Sequence, residues 1–367
     1  MSIEKILVLG MGGVGSLVAT LLHDNGLQVT GADRIKTAFT PEKIAFVETD
    51  INQVDTLNKL FAQHDAVVSC LPWNLTLPVA QAAYKAGIHY FDPTEDVTTT
   101  NAIRQMAKDS RGVMIPQNGL APGFIGILGS AIAHQFDATG LRHIKLRVGA
   151  LPQHPIGQLG YAGNWSLEGL VHECIAPCDA IIEGTRQKIP ALKNIETIRI
   201  NGIEYEAFTT SGGLGTMTET FEGKVETLNY KSIRYPGHFT GMNLLINELR
   251  FRESPDELVK RLAWALPPDD QDRVLIHASV QGNINDRLQT KEIVADYLPI
   301  ELCGKRRTSI IWTTACAIVG VIDMVRQGHL PQQGFVKQED INLNLFLQTK
   351  SGKNYLTQHP ELLSSFL

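Results

Sequence analysis

The 367-residue sequence has no excess of positive charge: 33 Lys and Arg stand against 38 Asp and Glu, for a formal charge of −5 and a pI near 6.1. That balance leaves no electrostatic footprint for a nucleic acid. Cysteine is scarce. The five thiols (Cys70, Cys174, Cys178, Cys303, Cys316) are odd in number and scattered, which excludes a disulfide framework and implies free thiols in a reducing cytoplasm. Apolar runs of the ~20 residues needed to span a bilayer are lacking, so no membrane partner is expected. The opening "MSIEKILVLG" sets Glu4 and Lys5 before a short apolar run, which suits a first strand and not a signal peptide. Internal repeats, low-complexity tracts and long charge runs are absent too. What is present, 43% hydrophobic and 19% charged residues, is ordinary for a globular chain. Its length exceeds that at which a single core usually stops growing, so two domains and a small-molecule function are expected.

The cluster "HECIAPC" brings His172, Cys174 and Cys178 together, residue types that ligate zinc. No second Cys/His pair stands at finger spacing and Pro177 breaks the segment, so a helix end with buried thiols is expected there and no metal.

Over the first ~120 residues, short apolar runs alternate with amphipathic segments, the pattern of parallel strands joined by crossover helices. Strands are expected near 5–9, 27–31, 44–48, 65–70, 88–91 and 112–116, with helices near 13–25, 53–64, 76–86 and 99–110. Thr76 is a plausible N-cap ahead of Pro78, and Gly26 and Gly87 stand where helices would stop. After "GLAPGFIGILGS" the strands "LRHIKLRVGAL", "ETIRI", "VETLNYKSIRY" and "DRVLIHASVQG" follow with fewer helices between them. The expected fold is therefore α/β: a doubly wound parallel Rossmann sheet over 1–121, an α+β substrate domain with a large mixed sheet over 122–306, and a C-terminal helix and tail over 307–367 packing back on the first domain.

"LVLGMGGVGSLVATLLHDNG" is the strongest local motif. Gly10, Gly12 and Gly15 form G-x-G-x-x-G between a strand and a helix, and the loop includes Gly13 and Val14. The first glycine permits the tight turn, the second admits a pyrophosphate close to the backbone, and the third lets helix and strand pack. The helix N-terminus favours the phosphates' negative charge. Asp33 ends the second strand, where a carboxylate would bind the adenosine ribose hydroxyls and repel a 2′-phosphate, favouring NAD. Arg34 beside it either stacks on adenine or holds the extra phosphate of NADP, so NADP is not excluded. Asp50 reads equally as an adenine contact or a helix cap. In an open parallel sheet the ligand lies beyond the carboxyl ends of the strands. Ser69, Cys70, Leu71 and Pro72 are thus placed beside the nicotinamide half, and Asn118 and Gly119 at the exit to the second domain. Asp92, Glu95 and Asp96 in "DPTED" could hold a substrate amine; acidic loop residues are more often solvated, and that reading is preferred here, with Asp92 the best of the three for an amine.

In "NYKSIRYPGH", residues 229–238, strand alternation would send Tyr230, Ser232 and Arg234 to one face and Lys231, Ile233 and Tyr235 to the other. Either this is a solvated sheet edge or the wall of a carboxylate pocket. With it go "NGLAPGF", "YAGNWSLEGLVHECIAPCDAIIEG", "YEAFTTSGGLGT" and "RTSIIWTTACA". Together with the glycine loop, this ordered series resembles the saccharopine dehydrogenase and lysine 6-dehydrogenase family over nearly the whole chain.

The resemblance implies NAD(P)-dependent oxidation of a carbon–nitrogen bond in lysine or a lysine-derived amino acid, and a homodimer formed through the second domain. It implies Arg234 as a carboxylate clamp, with Thr216, His238 and Arg307 as its pocket neighbours. A planar guanidinium grips a carboxylate bidentately, which favours Arg234 over Lys231. The reacting amine must be neutral before hydride leaves its carbon, and His238 is the nearest titratable group in sequence; it reads equally as a cap of the following helix or as a ring bonded to backbone. Saccharopine or a carboxy-polyamine is the alternative substrate. A non-catalytic NAD(H) sensor, or an alcohol or sugar dehydrogenase on the same cofactor fold, are the competing functions.

Overall fold

A computed structural model describes residues 2–52 and 54–366, so Gln53, the expected start of the second helix, lies outside the described residues. Six strands, β1 (Lys5–Leu9), β2 (Gln28–Asp33), β3 (Ala45–Glu48), β4 (Ala66–Ser69), β5 (His89–Phe91) and β6 (Val113–Ile115), pair in parallel in the order β3-β2-β1-β4-β5-β6. Crossing between them are α1 (Gly13–Asp24), α2 (Val54–Phe61), α3 (Thr76–Ala86) and α4 (Val97–Ala107). Ile6, Leu7, Val8 and Leu9 are all fully buried, as expected of a parallel strand covered on both faces, and that is why it reads as an unbroken apolar run. The strand order reverses between β1 and β4, the switch point where such sheets bind ligands.

Gly87 closes α3 in the left-handed conformation at φ +73°, as the sequence suggests. The start of α3 differs from expectation. A single 3-10 turn, Trp73–Leu75, precedes it, so Thr76 is already helical and caps nothing. The acidic loop supplies a cap instead: Asp96 accepts a hydrogen bond from the Thr99 N–H at 2.6 Å and starts α4.

The second domain carries α5 (Phe124–Ala133), β7 (Leu141–Pro152), α6 (Leu167–Ile175), β8 (Cys178–Ile182), β9 (Thr185–Ile189), β10 (Glu196–Ile200), β11 (Ile203–Thr209), α7 (Met217–Phe221), β12 (Thr227–Arg234), α8 (His238–Asn243), α9 (Pro255–Ala265), β13 (Asp272–Ile284) and β14 (Arg287–Tyr297). Its sheet runs β10-β11-β12-β7-β13-β14, with β8 paired to β12 and β9 to β8. The β12–β7 pair is parallel and its neighbours are antiparallel, which makes the sheet mixed. β12 lies inside the sheet, so "NYKSIRY" is not an edge.

A hairpin of β15 (Ile300–Leu302) and β16 (Lys305–Arg307) leads into α10 (Ser309–Arg326). By length and composition α10 is apolar enough to cross a membrane, yet it is mostly buried within the protein, against α1. Gly13 makes the close approach possible: a Cβ there would stand 2.7 Å from Ile311 Cδ1. The chain then returns β17 (Gly334–Phe335) to the first sheet, parallel to β6. The C-terminal segment is thereby a structural part of the Rossmann layer.

Candidate active site

Where the first sheet's switch point faces the second sheet, a cavity of about 640 Å³ opens. Its cofactor side is built by the glycine loop. Gly10, at φ +88°, leaves no room for a side chain, since a Cβ would lie 2.6 Å from the Cys70 carbonyl oxygen. A Cβ on Gly15 would lie 1.8 Å from the Gly10 oxygen, which is the close helix–strand packing that the third glycine serves. A Cβ on Gly12 would meet nothing within 4 Å. Open space beside the backbone at the start of α1 is what a pyrophosphate requires, and the loop fits a dinucleotide.

Gly12, Gly13, Val14, Gly15, Cys70, Leu71, Pro72 and Gly119 all line the cavity. Gly10, Asp33, Arg34, Asp50, Ser69 and Asn118 do not. The Asp33 carboxylate accepts the Met11 N–H at 2.7 Å through one oxygen and the Arg34 N–H at 2.7 Å through the other, bracing the loop from beneath. Arg34 is exposed, and Asp50 turns the chain by accepting the Asn52 N–H at 2.9 Å. Among the described residues, both side-chain polar atoms of Asn118 are buried without partners, unspent donors and acceptors at the carboxyl end of β6, and Ser69 is buried at the carboxyl end of β4.

The substrate side is the inner face of the mixed sheet. Tyr230, Ser232 and Arg234 of β12 line it together with Val148 and Ala150 of β7, the face that alternation assigns them. Lys231 points away and pairs with Glu196 at 2.8 Å, beside the Arg147–Glu196 ion pair at 2.5 Å. Arg234, 3% exposed, is held on three sides. Nη1 donates to the Ile233 carbonyl at 2.9 Å, Nη2 meets Glu173 at 2.7 Å, and the guanidinium lies 5.2 Å from the centre of the Tyr161 ring. Among the described residues, Nε alone has no partner. Burial pushes the Glu173 carboxyl up, while the guanidinium opposes the shift.

No motif singles out Glu173, and Glu95 is expected to be solvated; both instead line the cavity. Glu95 lines the cavity, half-buried, and burial together with the charges of Glu173 and Asp96 pushes its carboxyl up to about 8. Two glycines make its seat. A Cβ on Gly169 would lie 2.9 Å from Glu95 Oε1, and one on Gly212 would lie 2.9 Å from Glu95 Cβ. The glycines of "SGGLGT" were the available signal, since each clears space for a neighbour: Gly212 for Glu95, Gly213 for Tyr230 and Gly215 for Gln338. Asp92, favoured from sequence, stands behind the wall. It is fully buried, its Oδ1 accepts the Thr94 N–H at 2.6 Å, and burial pushes it up to about 6 against the opposing hydrogen bond of Tyr90.

Three other expected neighbours of Arg234 do not line the cavity. Thr216 donates to Glu339 at 2.7 Å in a buried contact with the C-terminal segment. His238 begins α8, where Gly237 occupies the cap position; its Nδ1 bonds to the Leu159 carbonyl at 2.8 Å, and burial and Arg234 push it down to about 3. The N–H groups at that helix start go to Glu206, so His238 caps nothing. Arg307 ends the hairpin one residue before Thr308, which does line the cavity. In "HECIAPC", His172 stacks on Trp73 at 5.0 Å while Cys174 and Cys178 are buried thiols.

Residues 6–115 match the saccharopine dehydrogenase NADP binding domain and residues 119–348 the saccharopine dehydrogenase C-terminal domain. The saccharopine dehydrogenase [NADP(+), L-glutamate-forming] of Pyricularia oryzae is 25% identical over 182 residues, 47% of this chain and 40% of that protein. The chain thus aligns with well under two thirds of that curated relative. The apo saccharopine dehydrogenase (L-Glu forming) of Saccharomyces cerevisiae superposes with a TM-score of 0.72 at 16% identity, over 99% of this chain and 98% of that one, a likeness of fold. With a cofactor domain and a substrate domain matched over most of its length, this chain belongs to the saccharopine dehydrogenase family.

Proposed function

We propose that this protein is an NAD(P)-dependent oxidoreductase that acts on a carbon–nitrogen bond of lysine or a lysine-derived amino acid. The observation that carries the reading is the single cavity in which the glycine loop faces the Arg234 wall. A bound nicotinamide dinucleotide supplies the hydride acceptor. The chain's own residues supply position. Gly12 to Gly15 and the start of α1 receive the pyrophosphate. Arg234, held in one orientation by Glu173, Ile233 and Tyr161, presents its guanidinium to a substrate carboxylate. Val148 and Ala150 give that wall an apolar floor that excludes water from the reacting carbon.

Within the cofactor class, Asp33 favours NAD, because its negative charge opposes a 2′-phosphate and its oxygens keep lone pairs for ribose hydroxyls, while Arg34 beside it offers a guanidinium to the extra phosphate of NADP. Saccharopine oxidation is the second reading, favoured by the curated relative's activity. The same proposal takes the assembly to be a homodimer in a reducing cytoplasm, where the five free thiols persist.

The test is initial-rate reduction of NAD and of NADP at mildly alkaline pH with L-lysine and L-saccharopine in parallel. Turnover of lysine with NAD is expected. Turnover with saccharopine alone selects the second reading, and binding of NADH without turnover of either amino acid overturns both.

A further inference from the structure

The ionisable groups on the cavity wall are strongly one-sided. Five carboxyl side chains, Glu95, Glu168, Glu173, Asp269 and Asp270, stand there against one guanidinium, that of Arg234. The guanidinium is already neutralised by Glu173 at 2.7 Å. Glu168 is exposed and accepts the Ser166 hydroxyl at 3.1 Å, and Asp269 accepts the Gln271 N–H at 2.9 Å, so both are satisfied at the solvent side.

Glu95 is different. Among the described residues no hydrogen-bond donor or cation meets its carboxylate, although it is half-buried in a seat cleared by Gly169 and Gly212. A carboxylate taken from water without a partner is unfavourable in the empty protein, and an arriving cation removes that penalty. It is close enough to Glu173 to feel its charge, and Glu173 in turn holds Arg234, whose buried Nε lacks an acceptor. A carboxyl without a protein partner and a guanidinium thus share one wall. An α-amino acid's ammonium and carboxylate complement that pair.

We propose that Glu95 is the receptor for the substrate's α-ammonium, on the same wall as the Arg234 guanidinium that receives its α-carboxylate, and that the pocket therefore selects α-amino acids whose ammonium groups outnumber their carboxylates. This rests on the amino-acid oxidoreductase reading above. A diamino monocarboxylate, cationic in solution, meets a wall whose carboxyls outnumber its guanidinium five to one. A tricarboxylate such as saccharopine brings additional anions against Glu95, Glu168, Asp269 and Asp270 with no free cation to receive them.

The test compares L-lysine with 6-aminohexanoate, which has the same reacting end and carboxylate but no α-ammonium, on the wild type and on Glu95→Gln. An ammonium bonded to a carboxylate contributes enough that the wild type should prefer lysine by roughly 10- to 100-fold in kcat/KM. In Glu95→Gln that preference should shrink at least tenfold, through KM for lysine, while KM for the cofactor stays unchanged. Glu95→Asp should restore part of it, which a merely structural role would not do. An undiminished preference for lysine in Glu95→Gln overturns the proposal, as does a wild type that turns over saccharopine more efficiently than lysine. If neither lysine nor 6-aminohexanoate is turned over or shifts the melting temperature of the NADH-loaded wild type, the underlying reading fails and the proposal falls with it.

Discussion

Replacing Gly12 and Gly15 by alanine, one at a time, separates binding from folding within one loop. At Gly15 the new Cβ would sit 1.8 Å from the Gly10 carbonyl oxygen and 3.2 Å from Cys70 Cβ, so α1 must move away from β1 and β4. Backbone contacts of that kind do not relax by a rotamer change, and a loss of about 3 kcal/mol or more is expected. At Gly12 the Cβ meets nothing within 4 Å, and the backbone, at φ −74° and ψ −163°, suits any L-residue. Stability should change by less than about 0.5 kcal/mol. The added methyl, however, fills the space through which a pyrophosphate approaches the backbone. A 100-fold weaker affinity, about 2.7 kcal/mol, is expected. Thermal melting of the cofactor-free proteins and fluorescence titration with NADH read the two effects separately. If Gly12→Ala binds NADH within twofold of the wild type, the phosphates do not lie on this loop and the assignment of the cavity's cofactor side is wrong.

Arg234→Ala should raise KM for the amino acid far more than KM for the cofactor; equal effects on the two would remove it from the carboxylate site. The same variant leaves Glu173 buried and unpaired, and a loss of stability of about 3 kcal/mol should accompany it in the melting temperature. Glu95 also makes stability depend on pH. Its carboxyl is pushed up to about 8 from an ordinary 4.5, so the folded state holds the proton more tightly. Stability is full below pH 4.5, declines as pH rises, and this contribution is lost above about 8. Glu95→Gln should match the wild type near pH 4.5 and exceed it increasingly up to pH 8, by on the order of 2 kcal/mol for a half-buried group. A difference that shrinks with rising pH would refute the assigned environment.

Much of the fold is legible because its signals are local. The inner strands β1, β4, β5 and β6 are buried almost throughout, and the six strands expected from sequence coincide with β1 to β6 within two residues at either end. The face assignment in β12 follows from alternation alone, and Tyr230, Ser232 and Arg234 do share the cavity wall. Expectation and structure part where the third dimension enters. His238 stands four residues from Arg234, but a turn at Gly237 carries its ring behind the wall to Leu159. Thr216 lies in the "GGLGT" segment, yet its hydroxyl is taken by Glu339, 123 residues away. Asp92 and Glu95 share one loop; which of them is exposed to the cavity depends on the seat between Gly169 and Gly212, on two other segments.

The sequence by itself determined the Rossmann layer, the position of the glycine loop after β1 and the side of β12 that bears Arg234, because each follows from backbone periodicity and the steric needs of neighbouring residues. Tertiary structure alone decided that Arg234 enters the pocket already paired with Glu173 and that Glu95, among the described residues, meets no partner. Charge pairing and desolvation depend on which segments meet in space, and no spacing along the chain encodes them.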